Sequence, residues 1–382
     1  MMNKTVCIIQ NNIITGKSGG YEIQIYNLFQ KLVKKGWTVS YFAEGKQYQE
    51  YTFDGFQVYI VPKRHYFSFY NPELFYHLER QAISIVYQRS RTAFSAGNIG
   101  LRFARRKKAK FVFSIGSPDD LIPFFLTKSL WKSKTSFAKK LFASVDTIIK
   151  DILFKRNFLK SDMVISQNIS QQFECKKRFK RNSTIIRSGH PAPLPDTYVK
   201  DSPLSVCWIA NVRAVKQPEL FLELARKCED ISTRSGTQFI MVMGKNIANY
   251  EKTRFMEKLK TQPNMLIIGE QSIDEANAVM GRSSLLVNTS VYEGFSNTYI
   301  QAWMRETPVV TLHCDPDGII ENHKLGFHSR SFDQLVTDVR YLIENESIRQ
   351  EMGNNARVYA LENHSIEKSA EAMNDLLTKL IE

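Results

Sequence analysis

Very little in this chain of 382 residues points to a metal, a disulfide framework or a membrane span. Its five cysteines, Cys7, Cys175, Cys207, Cys228 and Cys314, are odd in number and share no metal-ligand spacing. That favours a reducing cytoplasm over a secreted, cross-linked fold. The seven histidines show no paired spacing, and His190 and His313 are read as structural. No apolar run approaches the roughly 20 residues that cross a bilayer, and the opening MMNKTVCIIQNN lacks the apolar core of a signal peptide. Internal repeats and low-complexity tracts are missing as well. No helix-turn-helix, zinc or base-stacking pattern marks a specific nucleic-acid binder.

What is present is an ordinary globular composition, 43% hydrophobic and 24% charged, which excludes a disordered chain. The net charge of +14 is concentrated. Leu101 to Arg181 holds 20 Lys or Arg against 6 Asp or Glu, so this segment carries the whole excess. Within it lie RFARRKKAK, KSLWKSKTSFAKKLF and KKRFKR, a local positive field rather than a general solubility device.

Short β-branched runs alternate with helical patterns from end to end, the signature of parallel sheets covered by helices. Strands are expected at 5–10, 38–43, 56–61, 82–87, 110–115, 162–166 and 183–187, then at 204–209, 238–243, 264–268, 284–288 and 308–312. Between these sets lies SGHPAPLPDTYVKDSP, rich in Pro and polar residues. The length also suggests two domains. The expected division is an N-terminal Rossmann-like domain over 1–190, a linker over 191–203 and a second Rossmann-like domain over 204–362. A C-terminal helix over 363–382 is expected to pack back on the first domain. Two doubly wound α/β domains bind ligands at the carboxyl ends of their strands, in a cleft between them.

Three stretches carry candidate chemistry. SGGYEIQIYNLFQKLVKKG follows the first strand, and Gly19 and Gly20 would let main-chain amides approach a phosphate or sugar; a glycine turn needed only for packing is an equal reading. SVCWIANVRAVKQPELF places Arg213 and Lys216 before a helix, where cations and free amides gather an anion such as a diphosphate; taken alone, they also read as solvated surface charges. SSLLVNTSVYEGFSNTYIQAW ends a strand near Thr289 and turns at Gly294. Ser296 or Asn297 then caps a helix reaching about Arg305, with the amides of 296–298 facing outward. Glu293 precedes the cap and Gln301 lies a turn inside it, so both address one ligand. A capped helix needs neither Glu293 nor Gly294.

In order and spacing these pieces resemble glycosyltransferase family 4, retaining enzymes of the GT-B architecture that use nucleotide-sugar donors. The family pattern has a Gly-Gly turn after the first strand and an Arg and a Lys after the first strand of the second domain. It also has two Glu separated by seven residues, the interval between Glu293 and Gln301 here. The resemblance implies that Glu293 binds hydroxyls of the transferred sugar, that Gln301 binds the ribose, and that Lys216 with Arg213 neutralises the leaving diphosphate. Gly19, Gly20, Asn211, Gly294, Phe295, Ser296, Asn297 and Thr298 complete the implied donor site. Three positions depart from the pattern. Gln301 replaces the second carboxylate and keeps a carbonyl acceptor, a change that costs roughly 1 kcal/mol, about a factor of ten or less. Asn211 stands at the family's Arg position, two residues before Arg213. The His of many relatives after KFVFSIGSPDD is missing, which leaves Asp119 and Asp120 as acceptor-side candidates or as a simple acidic pair at a helix start.

CDPDG, with Asp315 and Asp317, imitates the Asp-x-Asp metal motif of the GT-A architecture, but it follows a strand where the resemblance implies a donor-side loop and no metal. No cofactor is therefore expected beyond the nucleotide-sugar co-substrate. In the basic segment Phe137, Leu141, Val145, Ile148, Ile149 and Ile152 recur at helical spacing among Lys139, Lys140, Lys150, Lys155 and Arg156. That pattern suits a helix on an anionic membrane or one packed on the first sheet; charge alone supports only weak, nonspecific nucleic-acid binding. The expected protein is a cytoplasmic glycosyltransferase, peripheral on the inner face of the cell membrane through residues 102–181. It would transfer a sugar to a lipid-linked or polysaccharide acceptor. A GT-B epimerase and a noncatalytic scaffold are the competing readings.

Overall fold

The computed structural model describes residues 4–10, 12, 20–63, 71–91, 98–133, 135–194, 197–244 and 254–382. The chain divides into two compact units, Met1–Gly189 with Ile366–Glu382, and His190–Ser365. No helix among the described residues is long and apolar enough to cross a membrane.

The first unit is built on β1 (Thr5–Ile9), β2 (Thr38–Gly45), β3 (Gln49–Phe53), β4 (Phe56–Pro62), β5 (Ile85–Arg89), β6 (Lys110–Ser114), β7 (Met163–Ser166) and β8 (Thr184–Ile185). They form one sheet in the order β3-β4-β2-β1-β5-β6-β7-β8, parallel except where β3 pairs antiparallel with β4. The strands are nearly continuous apolar runs because helices cover both faces. Those helices are α1 (Gly20–Lys34), α2 (Pro72–Glu79), α3 (Asn98–Lys107), α4 (Phe125–Lys132), α5 (Phe137–Lys160) and α6 (Ile169–Phe179). In α1 the spacing of Ile25, Leu28, Phe29 and Leu32 puts one buried stripe on the sheet, and Gly36 at φ +85° ends the helix region. The sequence reading missed β3. Its edge position leaves QEYTF mostly polar, but Asp54 and Gly55, both at positive φ, form the tight turn that fixes the hairpin.

The second unit is built on β9 (Ser205–Ala210), β10 (Gln238–Met243), β11 (Met265–Ile268), β12 (Leu285–Asn288), β13 (Val309–Thr311) and β14 (Gly326–His328). All pair in parallel, in the order β11-β10-β9-β12-β13-β14. Its helices are α7 (Pro218–Lys227), α8 (Glu229–Ser235), α9 (Arg254–Thr261), α10 (Ile273–Arg282), α11 (Asn297–Trp303), α12 (Ile319–Asn322), α13 (Phe332–Glu344) and α14 (Glu346–Asn363). The short β14 also escaped the sequence reading. Gly326 there, at φ +145°, lies so close to β13 that any Cβ would collide with the Val309 carbonyl. In each sheet the first strand, β1 or β9, is flanked on both sides by later strands. The order reverses there, the point where open α/β sheets bind ligands.

The final helix, α15 (Ile366–Ile381), belongs to the first unit. Ile366, Ala370, Met373 and Leu377 join the core between α1 and the sheet, and Trp37 Nε1 donates to Asn374 Oδ1 at 3.0 Å. Residues 191–203, expected as a linker, cluster with the second unit. Lys200 explains why: its Nζ donates to Ser283 O and Arg305 O, both at 2.9 Å, and to Thr307 Oγ1 at 2.7 Å. Burial pushes its pKa down to about 8.

Candidate active site

The loops leaving β9 and β12, which lie side by side at the switch point of the second sheet, bring Lys216 and Glu293 into an ion pair. Lys216 closes a 3-10 turn over Ala214–Lys216, and Gln217 at φ +46° redirects the chain so that Pro218 begins α7. The two loops are tied together by main-chain and hydroxyl bonds. Val291 N donates to Val215 O at 2.9 Å, and the buried Thr289 hydroxyl donates to Lys216 O at 2.6 Å while accepting from Trp208 Nε1 at 3.0 Å. Ser290 Oγ adds a bond of 2.8 Å to Glu293 Oε1. The paired side chains remain 22% and 15% exposed, so a ligand can still reach them.

Thr289 and Ser290 are positioning residues that sequence reasoning missed. The Thr-Ser pair directly after a predicted strand was the available signal, since hydroxyls there can bind neighbouring loops. Cys314 is a third. Its thiol, pushed up to about 12 by burial, donates to Ser290 O at 3.3 Å and backs the loop from behind.

The remaining candidates fall into distinct places. Arg213 is exposed at the start of the 3-10 turn, three residues from Lys216. Asn211 is half-buried, and its amide packs so tightly on Gly244 that a Cβ there would collide with Oδ1. Gly294, Asn297, Thr298 and Gln301 are half-buried around the start of α11. Ser296 occupies the N-cap but makes no capping bond; its hydroxyl pairs with Thr298 Oγ1 at 2.9 Å. Phe295 points its ring into the core against Trp303 and His364, so only its main chain is left for a ligand. Gln217 Oε1, next to Lys216, is buried without a hydrogen-bond partner.

In the first unit, Gly20 is the exposed first residue of α1, whereas Gly19 lies outside the described residues. Asp119 and Asp120 separate in role. Asp120 is fully buried: Oδ1 accepts from Ser90 Oγ and Arg91 N, both at 3.0 Å, and Oδ2 accepts from Gly116 N at 2.8 Å and Ser117 N at 3.2 Å. It is a loop-building residue rather than one that meets an acceptor. Asp119 is half-buried, with its pKa raised by burial and by the neighbouring Asp120.

The two aspartates of CDPDG have different settings. Asp315 accepts from Ile320 N at 2.8 Å and Glu321 N at 3.3 Å, and Asp317 sits at φ +58°. Asp315 instead approaches Glu321 and His328, whose ligand atoms lie within 4.8 Å of one another, but Arg330 already pairs with Glu321.

Residues 197–359, the body of the second unit, match the family model described as "Glycosyl transferases group 1". Among curated relatives, a trehalose synthase from Thermococcus litoralis is 34% identical over 104 residues, 27% of this chain and 25% of that protein. The chain thus spans about a quarter of the length of the trehalose synthases it matches. Over the whole chain the similarity is one of fold. Sucrose-phosphate synthase from Thermosynechococcus elongatus superposes with a TM-score of 0.75 at 13% identity, covering 99% of each chain. Anabaena HepE, in complex with UDP-glucose, gives a TM-score of 0.71 at 14% identity, covering 98% of this chain and 99% of that one. The fold is the GT-B fold, and the matched domain supports a glycosyltransferase.

Proposed function

We propose that this protein is a retaining glycosyltransferase that moves a sugar from a nucleoside diphosphate sugar to a lipid-linked or polysaccharide acceptor. The observation that carries the reading is the Lys216–Glu293 pair, assembled by loops at a sheet switch point inside a glycosyltransferase group 1 match. Two charged groups that pair with each other can also share a ligand. A diphosphate entering beside Lys216 takes the ammonium as its counterion, with Arg213 and the first amides of α11 alongside. Glu293, still held by Ser290, is then free to accept hydroxyls of the sugar. Charge grows on the diphosphate as the glycosidic bond breaks, so the Lys216 interaction strengthens toward the transition state and appears in turnover. Gln301 takes a ribose hydroxyl. Because the structural relatives include a complex with UDP-glucose, uridine nucleotides are the first donors to try. The basic excess of residues 102–181 supports work at an anionic cytoplasmic membrane surface, in cell-surface glycan synthesis. The reaction is expected to need no metal.

A thermal-shift panel of nucleotides and nucleotide sugars tests the donor, since a ligand that binds only the native state raises its melting temperature. Product analysis with a responding donor then decides the chemistry. Release of the nucleoside diphosphate in step with glycoside formation, unchanged by chelator, is expected. An epimerised sugar without acceptor, or no ligand response at all, overturns the proposal.

A further inference from the structure

The α4–α5 hairpin leaves uncovered the stripe that the sequence offered to either a sheet or a membrane. Phe137 is 70% and Phe142 77% exposed, and Leu141, Val145, Ile148 and Ile152 are exposed beside them. Within the first four turns of α5 only Ser144 and Asp151 are buried; the helix seats itself in the fold through its later residues Phe154, Asn157 and Phe158. Asp151 anchors that seat, pairing with Arg91 at 2.8 Å and accepting from Thr127 N at 2.9 Å. The anchored helix therefore carries a firmly held apolar face into solvent. α4 extends it, with Phe124 and Trp131 exposed, the Trp131 ring meeting Phe137 edge-on at 6.1 Å and Lys140 Nζ donating to Trp131 O at 3.0 Å.

From Phe124 to Lys160 the sequence holds nine Lys or Arg and two Asp, a net charge of +7. One of those acids is the buried Asp151, and the other, Asp146, pairs with Lys150 at 2.7 Å. An apolar face rimmed by cations is complementary to a layer with an acyl interior and anionic headgroups, and a contiguous patch of this kind is uncommon on a protein that meets only water. A packed protein partner would not need so many cations around its apolar contact.

We propose that the α4–α5 hairpin is a membrane-insertion element: Phe137, Leu141, Phe142, Val145, Ile148 and Ile152 enter the acyl layer of an anionic leaflet while the surrounding lysines hold the headgroups. This deepens the membrane part of the proposed function and is independent of its chemistry. Trp131 supplies an internal probe, because Trp37, Trp208 and Trp303 are buried in the two cores.

The experiment uses the full chain with phosphatidylcholine vesicles, with and without phosphatidylglycerol, in which some acyl chains carry bromine. The expected result is sedimentation with the anionic vesicles at low salt, quenching of Trp131 fluorescence by the brominated chains, and loss of that quenching in Trp131→Phe. Replacing Leu141, Phe142 and Val145 together by Glu is expected to lower vesicle partitioning about tenfold or more without changing the melting temperature, since all three side chains are exposed. If the wild-type chain binds anionic vesicles but shows no quenching and the triple variant binds equally well, the insertion element is wrong and the membrane reading survives. No vesicle binding by the wild type overturns both. A wild-type dimer that the triple variant makes monomeric, with no vesicle binding, assigns the face to a second copy instead.

Discussion

The hydroxyl of Thr289 donates to the main-chain carbonyl of Lys216 at 2.6 Å, across 73 residues of sequence, and accepts from Trp208 Nε1 at 3.0 Å. This one side chain fixes the end of β12 to the loop after β9, and so sets where the Lys216 ammonium stands relative to Glu293.

Thr289→Val keeps the shape of the side chain and removes these bonds together with the one to Gln217 O at 3.0 Å. Leaving the Lys216 carbonyl and the Trp208 indole unpaired in a buried place is expected to cost about 1–3 kcal/mol of stability by urea unfolding. A looser Lys216 is also expected to lower kcat more than it raises KM for the donor. Unchanged kcat would show that Lys216 does not depend on this tether.

Glu293→Gln keeps the size of the side chain and removes its charge. Nucleotide binding should stay largely intact while transfer falls, because the charged carboxylate that accepts the sugar hydroxyls becomes a neutral amide with a single carbonyl acceptor. Lys216→Ala should weaken both nucleotide affinity and turnover. Each variant also leaves one half-buried charge without its partner, so the double variant should be less impaired in stability than the sum of the singles. Full turnover in both single variants would remove the site assignment.

Asp119 and Asp120, adjacent in sequence, should respond oppositely. Asp120→Ala orphans the Gly116, Ser117 and Arg91 amides and the Ser90 hydroxyl, and is expected to destabilise the fold by several kcal/mol, on the order of 3. Asp119→Ala should change stability by about 1 kcal/mol or less and act, if anywhere, on the acceptor KM. Equal melting temperatures for the two variants would contradict this division.

Stability should fall as pH rises above neutrality. Burial holds the thiols of Cys207, Cys228 and Cys314 protonated up to about 12, and Cys7 is raised further. An unfolded thiol ionises near 8.5, so the unfolded state loses protons first and gains on the native state from about 8.5 to about 12. Lys200 works in the other direction: its folded pKa of about 8 lies below the unfolded value, which adds stability as pH climbs between the two. Four thiols outweigh one lysine. Urea midpoints under reductant at about pH 7 and about pH 10 check the sign, and a higher midpoint at the alkaline pH would refute it.

Most of the fold was legible because its strands are apolar on both faces and its turns are marked. The β9, β10 and β12 runs could be placed within a residue or so for that reason. β3 was not, since an edge strand can afford the polar Gln49, Glu50 and Thr52, and β14 was not, since three residues carry no periodicity. At the site, the charge of Lys216 and Glu293 was visible but their pairing was not: no local pattern announces a contact made through the tertiary fold. Phe295 and Asp120 show the converse. Phe295 stands in a motif stretch and Asp120 reads either as an acceptor-side group or as part of an acidic pair at a helix start, yet one is buried as core and the other as a loop staple. For the apolar stripe of α5 the sequence offered two surroundings and could not choose, because exposure is decided by what the rest of the chain leaves uncovered.

The placement of α15 bears on how the chain is made. Ile366, Ala370, Met373 and Leu377 fill the core beneath α1, and these residues are synthesised only after all of His190–Ser365. On the ribosome the first-encoded sheet must therefore wait, with part of its hydrophobic interior open, until the later unit has been synthesised. Truncation within the last turns should for this reason burden chaperones and proteases more than a cut of the same length at most surface loops.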